Sequence, residues 1–116
     1  MTAGTEHDRE LDSDLVSIIM PTYNCGAFIA ETIATVQAQT HPRWELIVVD
    51  DCSTDDTTDV VGALAKDDPR IRYVRLETNS GAAMARNRAM ELAQGRYMAF
   101  LDSDDLWHPD KLRRQI

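Results

Sequence analysis

The fold is decided by the stretch WELIVVDD, residues 44–51. Its mostly apolar, β-branched part stops abruptly at Asp50-Asp51, a pattern typical of a strand buried on both faces of a parallel sheet. A similar run, Val16–Met20, is stopped by Pro21 and predicts another buried strand upstream. Apolar residues at helical spacing begin at Phe28 and continue to Gln39, and they predict a helix between the two strands.

Downstream of Asp51, the sequence predicts a second helix that runs through Leu64. Ser53 is a suitable N-cap for this helix, and Asp55 would lie in its first turn, where the helix dipole favours negative charge. The alternating residues Ile71–Leu76 predict a third strand.

The remaining elements follow the same alternation of strand and helix. The alanine-rich stretch Ala82–Leu92 predicts a helix, which we expect Gly95 to close as its C′ residue. Tyr97–Leu101 predicts a fourth strand, and Pro109 occupies a favourable helix start. We therefore expect an α/β domain with a mostly parallel sheet flanked by helices, preceded by a flexible tail at residues 1–14.

Composition limits the classes of function. The 116 residues are 43% hydrophobic and carry a net charge of −8, which suits one domain with a sizeable core but repels nucleic-acid backbones. Cys25 and Cys52 form no CxxC pair, which argues against a zinc site and suits a reducing compartment. Without a long apolar run or a signal peptide, we expect a cytoplasmic protein, with peripheral membrane association of a longer protein left open.

Acidic residues follow two of the predicted strands. Asp102-Ser103-Asp104 places two carboxylates, which are hard oxygen ligands, just past the fourth strand. They suit Mg²⁺ or Mn²⁺, with the phosphates of a substrate as further ligands of the ion. A turn with a helix cap is the alternative. We expect Asp50 to accept hydrogen bonds from loop amides, whereas Asp51 is better placed to accept a uracil imide N–H or a ribose hydroxyl.

Other residues near the carboxyl ends of the predicted strands, where ligands bind in such sheets, could contact a ligand. Tyr23 would either stack on a flat base or plug the core beside Phe28. Asn79-Ser80-Gly81 would bring backbone close to a nucleotide or its phosphates. Arg86 would pair with a diphosphate or hold Asp102 in place. We interpret Arg88 as a solvated surface residue and leave open whether His108 touches metal or substrate.

Four stretches together resemble the family 2 glycosyltransferases of the GT-A fold. They are VSIIMPTYN at 16–24, ELIVVDDCSTD at 45–55, NSG at 79–81 followed by ARN at 85–87, and FLDSDD at 100–105. The resemblance extends from about Val16 to Leu112 and implies an inverting transfer of sugar from a nucleotide-diphosphate donor, with Mn²⁺ or Mg²⁺ as cofactor. Cys52 is a departure, because the family often has glycine there, and it could reshape the turn.

By position, the resemblance implies that Pro21 and Tyr23 line the base, Asp51 holds it, Asp102 lies near the ribose and diphosphate, and Asp104 binds the metal directly. The predicted site binds metal through Asp104 and Asp102. Its nucleotide-sugar-binding residues are Pro21, Thr22, Tyr23, Asn24, Asp51, Asn79, Gly81, Arg86, Asp102 and Ser103.

Family members are longer, so we expect residues 15–116 to be a truncated, N-terminal nucleotide-sugar-binding part. The general base is expected after Ile116, and the 116 residues alone should bind a UDP-sugar weakly and transfer no sugar. We expect a role in bacterial cell-wall or polysaccharide biosynthesis, with the acceptor unassigned, and self-association through an uncovered sheet edge. The alternatives are a non-catalytic nucleotide-sugar-binding module and a flavodoxin-like regulatory domain.

Overall fold

The computed structural model describes residues 14–115, so the predicted tail, apart from Asp14, lies outside the described residues. Strands and helices alternate through the described chain as predicted. Their bounds are β1 Val16–Thr22, α1 Ile29–Gln37, β2 Trp44–Asp50, α2 Thr57–Asp67, β3 Ile71–Arg75, α3 Ala82–Leu92, β4 Tyr97–Phe100 and α4 Lys111–Gln115.

The four strands form one sheet in the order β3-β2-β1-β4, and every neighbouring pair is parallel. The chain moves outward from β1 to β3 and then returns to the other side of β1. Such a reversal leaves a crevice beyond the carboxyl ends of β1 and β4, where ligands bind in open α/β sheets. The prediction of a mostly parallel sheet flanked by helices is confirmed.

Alternate residues of β1 pack into two separate cores because successive side chains point to opposite faces of the sheet. Ile18 and Met20 pack with residues of α1 and α2, whereas Ile19 packs with Ala85 and Ala89 of α3. The sheet is therefore covered on both faces, and α3 alone covers the second face within the described residues. This arrangement brings the first turn of α3 to the carboxyl end of the sheet.

Pro21 does not end β1, contrary to the prediction. The strand continues to Thr22, and Pro21 pairs in register with Val49 of β2. The carbonyl of Ile19 accepts the Leu101 N–H on the β4 side, and Pro21 shares that side because backbone groups alternate along a strand. Since β4 has already ended there, a residue without an N–H loses no sheet hydrogen bond.

The prediction that Ser53 caps α2 is wrong, because α2 begins only at Thr57. The Ser53 hydroxyl is committed elsewhere: it donates to Asp50 Oδ1 and accepts the Asn24 N–H. Asp55, predicted in the first helical turn, instead precedes the helix, and its Oδ1 accepts the Thr57 N–H at 2.9 Å. The hydrogen bond from the Thr57 hydroxyl is the main reason why the pKa of Asp55 is lowered.

Gly95 is not the C′ residue of α3. The helix ends at Leu92 with an extended Ala93, and among the described glycines only Gly81 has a positive φ. A Cβ on Gly95 would lie 2.6 Å from the Leu15 carbonyl oxygen and 2.7 Å from Ser17 Oγ. Glycine is therefore needed here for the close approach of the backbone to β1.

Strand β4 forms one edge of the sheet within the described chain. Its Met98 and Phe100 side chains are 45% and 54% exposed, which is a large apolar exposure for a strand. This edge has the features on which the expectation of self-association rests, and self-association itself stays a prediction. None of the helices within residues 14–115 is long and apolar enough to cross a bilayer.

Candidate functional site

A cavity of about 540 Å³ opens beyond the carboxyl ends of β1 and β4, within the usual volume range of small-ligand sites. Its wall is formed by the end of β1 and the loop after it, the residue after β2, the loop before α3 with the start of that helix, and the loop after β4. The lining residues are Pro21, Thr22, Tyr23, Cys25, Phe28, Asp51, Asn79, Ala82, Ala85, Arg86, Asp102, Ser103 and Asp104.

Nine of the eleven predicted site residues line this one cavity, and the exceptions are Asn24 and Gly81. Four lining residues were not expected from the sequence: Cys25, Phe28, Ala82 and Ala85. Phe28 gave a misleading signal, because its apolar side chain belonged to the pattern that predicted the buried face of α1. The structure instead places it just before that helix, 57% exposed.

Asn24 and Gly81 contribute to the shape of the loops instead of the cavity wall. Asn24 has a φ of 50°, and its Oδ1 accepts the N–H groups of Thr54 at 2.8 Å and Asp55 at 3.3 Å. It therefore ties the loop after β1 to the loop after β2. Gly81 has a φ of 97°, which a side chain would strain, and its N–H donates to Asp51.

Asp50 is fully buried and holds the loop after β2, as predicted. Its Oδ1 accepts both the N–H and the hydroxyl of Ser53, and its Oδ2 accepts the Tyr73 hydroxyl. Both carboxylate oxygens are occupied by protein donors. Asp50 therefore holds the loop after β2 and does not line the cavity.

Tyr73 provides a test of this support. Burial and the hydrogen bond to Asp50 raise the pKa of its phenol to about 12, from an ordinary value of 10.0. Because the pKa of Tyr73 is higher in the folded protein than its ordinary value of 10.0, the neutral phenol contributes its full stabilisation below about pH 10. That contribution is lost as the pH rises towards about 12. We expect Tyr73→Phe to lack this decline, which urea unfolding across that pH window would measure. Parallel curves for the two proteins would contradict the assignment.

Asp51 accepts hydrogen bonds from the protein backbone that were not expected from the sequence. It is only 4% exposed, and its two oxygens accept the N–H groups of Ser80 at 2.6 Å and Gly81 at 2.9 Å. These donors immediately precede α3, so the carboxylate lies where the helix dipole favours negative charge. Each carboxylate oxygen keeps a further lone pair, so Asp51 could accept one more hydrogen bond at the cavity wall.

Asp102 and Asp104 contrast with the first acidic pair. Both are exposed and line the cavity, and neither carboxylate accepts a hydrogen bond or forms an ion pair within residues 14–115. Their free oxygens suit a hard divalent cation. No group of three or more His, Cys, Asp and Glu in the described chain could hold a metal, so an ion here would need water or substrate phosphates as further ligands.

Another part of the wall is aromatic, and it contains one polar atom without a partner among the described residues. Tyr23 is 47% exposed, so the alternative that it plugs the core is wrong, and its ring is available to a ligand. Phe28 adds a second exposed aromatic ring. Beside them, Thr22 Oγ1 is buried and has no hydrogen-bond partner among the described residues. A ligand with both a flat ring and polar edges suits this wall.

The two arginines in the middle of α3 differ in their surroundings, as expected from the sequence. Arg86 is the basic side chain that lines the cavity, together with Ala82 and Ala85 of the same helix. Arg88 forms an exposed ion pair with Glu91 at 3.2 Å, as expected for a surface residue. His108 lies outside this cavity, and its Nδ1 accepts the Asp110 N–H at 3.1 Å.

Residues 17–116 match the model of glycosyl transferase family 2. Over 102 residues, the chain is 58% identical to a Bacillus subtilis protein named as a teichuronic acid biosynthesis glycosyltransferase, TuaG, covering 88% of the chain and 40% of TuaG. The chain thus spans about 40% of the length of that relative.

Two solved structures are similar in fold. TarS of S. aureus, residues 1–349 in complex with UDP-GlcNAc, gives a TM-score of 0.81 at 37% identity, covering 86% of this chain and 29% of that one. A mannosyltransferase of Pyrobaculum calidifontis in complex with GDP-Man and Mn²⁺ gives 0.74 at 34% identity, covering 79% and 28%. The expected GT-A fold class is therefore confirmed.

Proposed function

The chain belongs to glycosyl transferase family 2, and on that premise we propose that it is the donor-binding part of a glycosyltransferase that uses a nucleotide-diphosphate sugar. One observation carries the proposal: the two acidic pairs at this end of the sheet differ in their hydrogen bonding. Asp50 and Asp51 accept hydrogen bonds from protein donors on both carboxylate oxygens, whereas the carboxylates of Asp102 and Asp104 accept none within residues 14–115. The first pair builds the cavity and the second is available for a cation.

The nucleotide would lie along the wall formed by β1 and the loop that follows it. Tyr23 is available to stack on the base, and Asp51 and Thr22 Oγ1 are available for polar contacts at its edge. Stacking of a base on an aromatic ring contributes about 1–3 kcal/mol in nucleic-acid complexes, so Tyr23 would supply a substantial part of the affinity.

The diphosphate would lie across the opening between Arg86 and the two free acids. Asp104 would hold the cation directly with Asp102 beside it, and Arg86 would bind a phosphate oxygen by a charge-assisted hydrogen bond. Mn²⁺ or Mg²⁺, when bound, neutralises charge on the leaving diphosphate. We propose an inverting reaction. The acids that line the cavity are used for donor and cation, so a carboxylate elsewhere would deprotonate the acceptor hydroxyl.

The TarS structure supports a uridine-diphosphate sugar as donor, since it contains UDP-GlcNAc. The mannosyltransferase structure contains GDP-Man, so a guanosine-diphosphate sugar is the alternative donor class. Mn²⁺ in the mannosyltransferase supports a divalent cation. The name of TuaG supports a role in the synthesis of a cell-wall polysaccharide. These features are proposals for the whole protein, of which this chain would supply the donor site.

The test is a calorimetric titration of UDP and of GDP into the chain, with Mn²⁺ and after its removal by EDTA. We expect saturable UDP binding that weakens at least about a hundredfold without Mn²⁺. Tighter binding of GDP than of UDP would reassign the donor. Absence of binding by either nucleotide would contradict the proposed donor site in this cavity. Metal-dependent binding without turnover by a full-length relative would favour a non-catalytic module.

Asp51→Ala should affect both the fold and the nucleotide. It leaves the N–H groups of Ser80 and Gly81 without their charged acceptor, so we expect the unfolding free energy to fall by about 2–4 kcal/mol. UDP binding should weaken about tenfold or more, because one hydrogen bond to a charged group is lost and the start of α3 moves. Urea unfolding and UDP titration at a temperature where the variant is folded measure the two effects.

Asp67→Ala is the matched control, since it removes the same charge from an exposed position at the end of α2. It should leave both quantities unchanged. If Asp51→Ala lost stability but kept its UDP affinity, Asp51 would cap the loop and have no part in nucleotide binding.

A further inference from the structure

One edge of α1 carries three polar side chains that reach across to the segment after β4. Thr32, Thr35 and Gln39 recur at helical spacing, with Gln39 two residues past the end of the helix. Thr32 is 1% exposed and Gln39 is 7% exposed, which is unusual for polar residues. Buried polar groups at such spacing need partners, and all three bond to the same stretch, residues 103–112.

The contacts follow that stretch in order. Thr32 Oγ1 donates to the Ser103 carbonyl at 2.9 Å, and Thr35 Oγ1 accepts the Trp107 N–H at 3.2 Å. Gln39 uses both ends of its amide: Nε2 donates to the His108 carbonyl at 2.8 Å, and Oε1 accepts the Leu112 N–H at 3.0 Å. These side chains therefore satisfy backbone N–H and carbonyl groups of the segment, as a neighbouring strand would do in a sheet.

The segment has little other support from its own backbone. Between the end of β4 and the start of α4 it forms no helix or strand, and its internal backbone bonds are turns such as that from the Asp105 N–H to the Asp102 carbonyl at 3.0 Å. Cys25 Sγ lies 2.8 Å from Ser103 Oγ and adds one side-chain contact. From Ser103 onward, the loop that carries Asp104 is therefore held mainly by side chains of α1 and of Gln39, whereas the Leu101 N–H before it is held by the Ile19 carbonyl of β1.

We propose that Thr32 is a positioning residue for the two cavity acids, an inference that rests on the proposed function. The Ser103 carbonyl belongs to the planar peptide that joins Ser103 to Asp104. The hydrogen bond from Thr32 fixes the orientation of that plane, and thereby the direction from which the Asp104 side chain leaves the backbone. Thr35 and Gln39 hold points farther along the chain, so Thr32 is the member of the edge that controls the spacing of the acids.

The experiment compares Thr32→Val, which keeps the shape and removes the hydroxyl, with Thr32→Ser, which keeps the hydroxyl. UDP is titrated with and without Mn²⁺, Mn²⁺ binding is followed by electron paramagnetic resonance, and urea unfolding reports the fold. We expect Thr32→Val to weaken Mn²⁺-supported UDP binding about five- to twentyfold and to change metal-free UDP binding less than about twofold. Thr32→Ser should restore the wild-type values.

Thr40→Val is the matched control on the same side of the molecule. It removes an exposed hydrogen bond from Oγ1 to Asp110 Oδ1 and keeps the backbone bond from the Thr40 N–H to the Pro109 carbonyl. It lies outside the cavity wall, and its nucleotide and Mn²⁺ affinities should equal those of the wild type.

The outcomes separate this inference from the proposed function. Wild-type UDP binding that ignores Mn²⁺ would overturn both. Metal-dependent binding in the wild type that Thr32→Val retains, or an equal loss with and without Mn²⁺, would overturn the positioning role alone. If Thr32→Val does not fold, Thr32→Ala, which adds no bulk at the Ser103 carbonyl, takes its place. Failure of both to fold would make Thr32 a purely structural residue and overturn the inference.

Discussion

Asp104→Ala should abolish the Mn²⁺-supported part of UDP binding, a loss of at least about a hundredfold, while the fold is retained. The reason is that the Asp104 carboxylate is exposed, lines the cavity and has no hydrogen-bond partner within residues 14–115, so its removal leaves no buried group unsatisfied. The cation would lose a negatively charged oxygen ligand, and water or the Ser103 hydroxyl could replace it only with a neutral one. Titration of UDP with and without Mn²⁺ measures the loss, and urea unfolding tests the fold.

Asp105→Ala is the control for this experiment, because it removes the same charge from the neighbouring residue, which lies outside the cavity wall. Its UDP affinity should stay within about twofold of the wild type in both conditions. If Asp104→Ala kept its full dependence on Mn²⁺, the cation would have to bind elsewhere, and the role of Asp102 and Asp104 would reduce to that of a turn before α4.

The second large effect is expected at Asp50 and concerns stability. Asp50→Ala should lower the unfolding free energy by about 3–5 kcal/mol, because the Ser53 N–H, the Ser53 hydroxyl and the Tyr73 hydroxyl lose a charged acceptor in the interior. A small domain has a total stability of about 5–15 kcal/mol, so this one substitution removes a large share. Urea unfolding measures the change.

Two variants make the assignment of Asp50 specific. Asp50→Asn keeps the shape and one acceptor oxygen, and we expect it to lose less stability than Asp50→Ala. Asp59→Ala removes an exposed acid from the first turn of α2 and should cost no more than about 1 kcal/mol. Equal losses in Asp50→Ala and Asp59→Ala would mean that the buried hydrogen bonds of Asp50 contribute nothing beyond its charge.

The sequence predicted the elements well where the apolar pattern was strong. The β-branched runs of β1 and β2 and the stretch of α3 predicted their elements, because strands buried on both faces and regular helices have distinctive spacing. The errors fell at the ends of elements. Strand β1 continues through Pro21 because β4 has already ended on that side. Ser53 does not cap α2 because its hydroxyl donates a hydrogen bond to Asp50. Both outcomes depend on neighbours that are distant in sequence.

The sequence by itself determined that the acids follow β2 and β4, and the parallel order of the strands then required them to share one end of the sheet. Only the tertiary structure decided what each acid does. Asp51 meets the N–H groups of Ser80 and Gly81, whereas Asp102 and Asp104 meet no donor in the described chain. The reason is physical: a carboxylate is structural or available according to the donors that fold around it, and these donors lie 29 and 30 residues away in the case of Asp51.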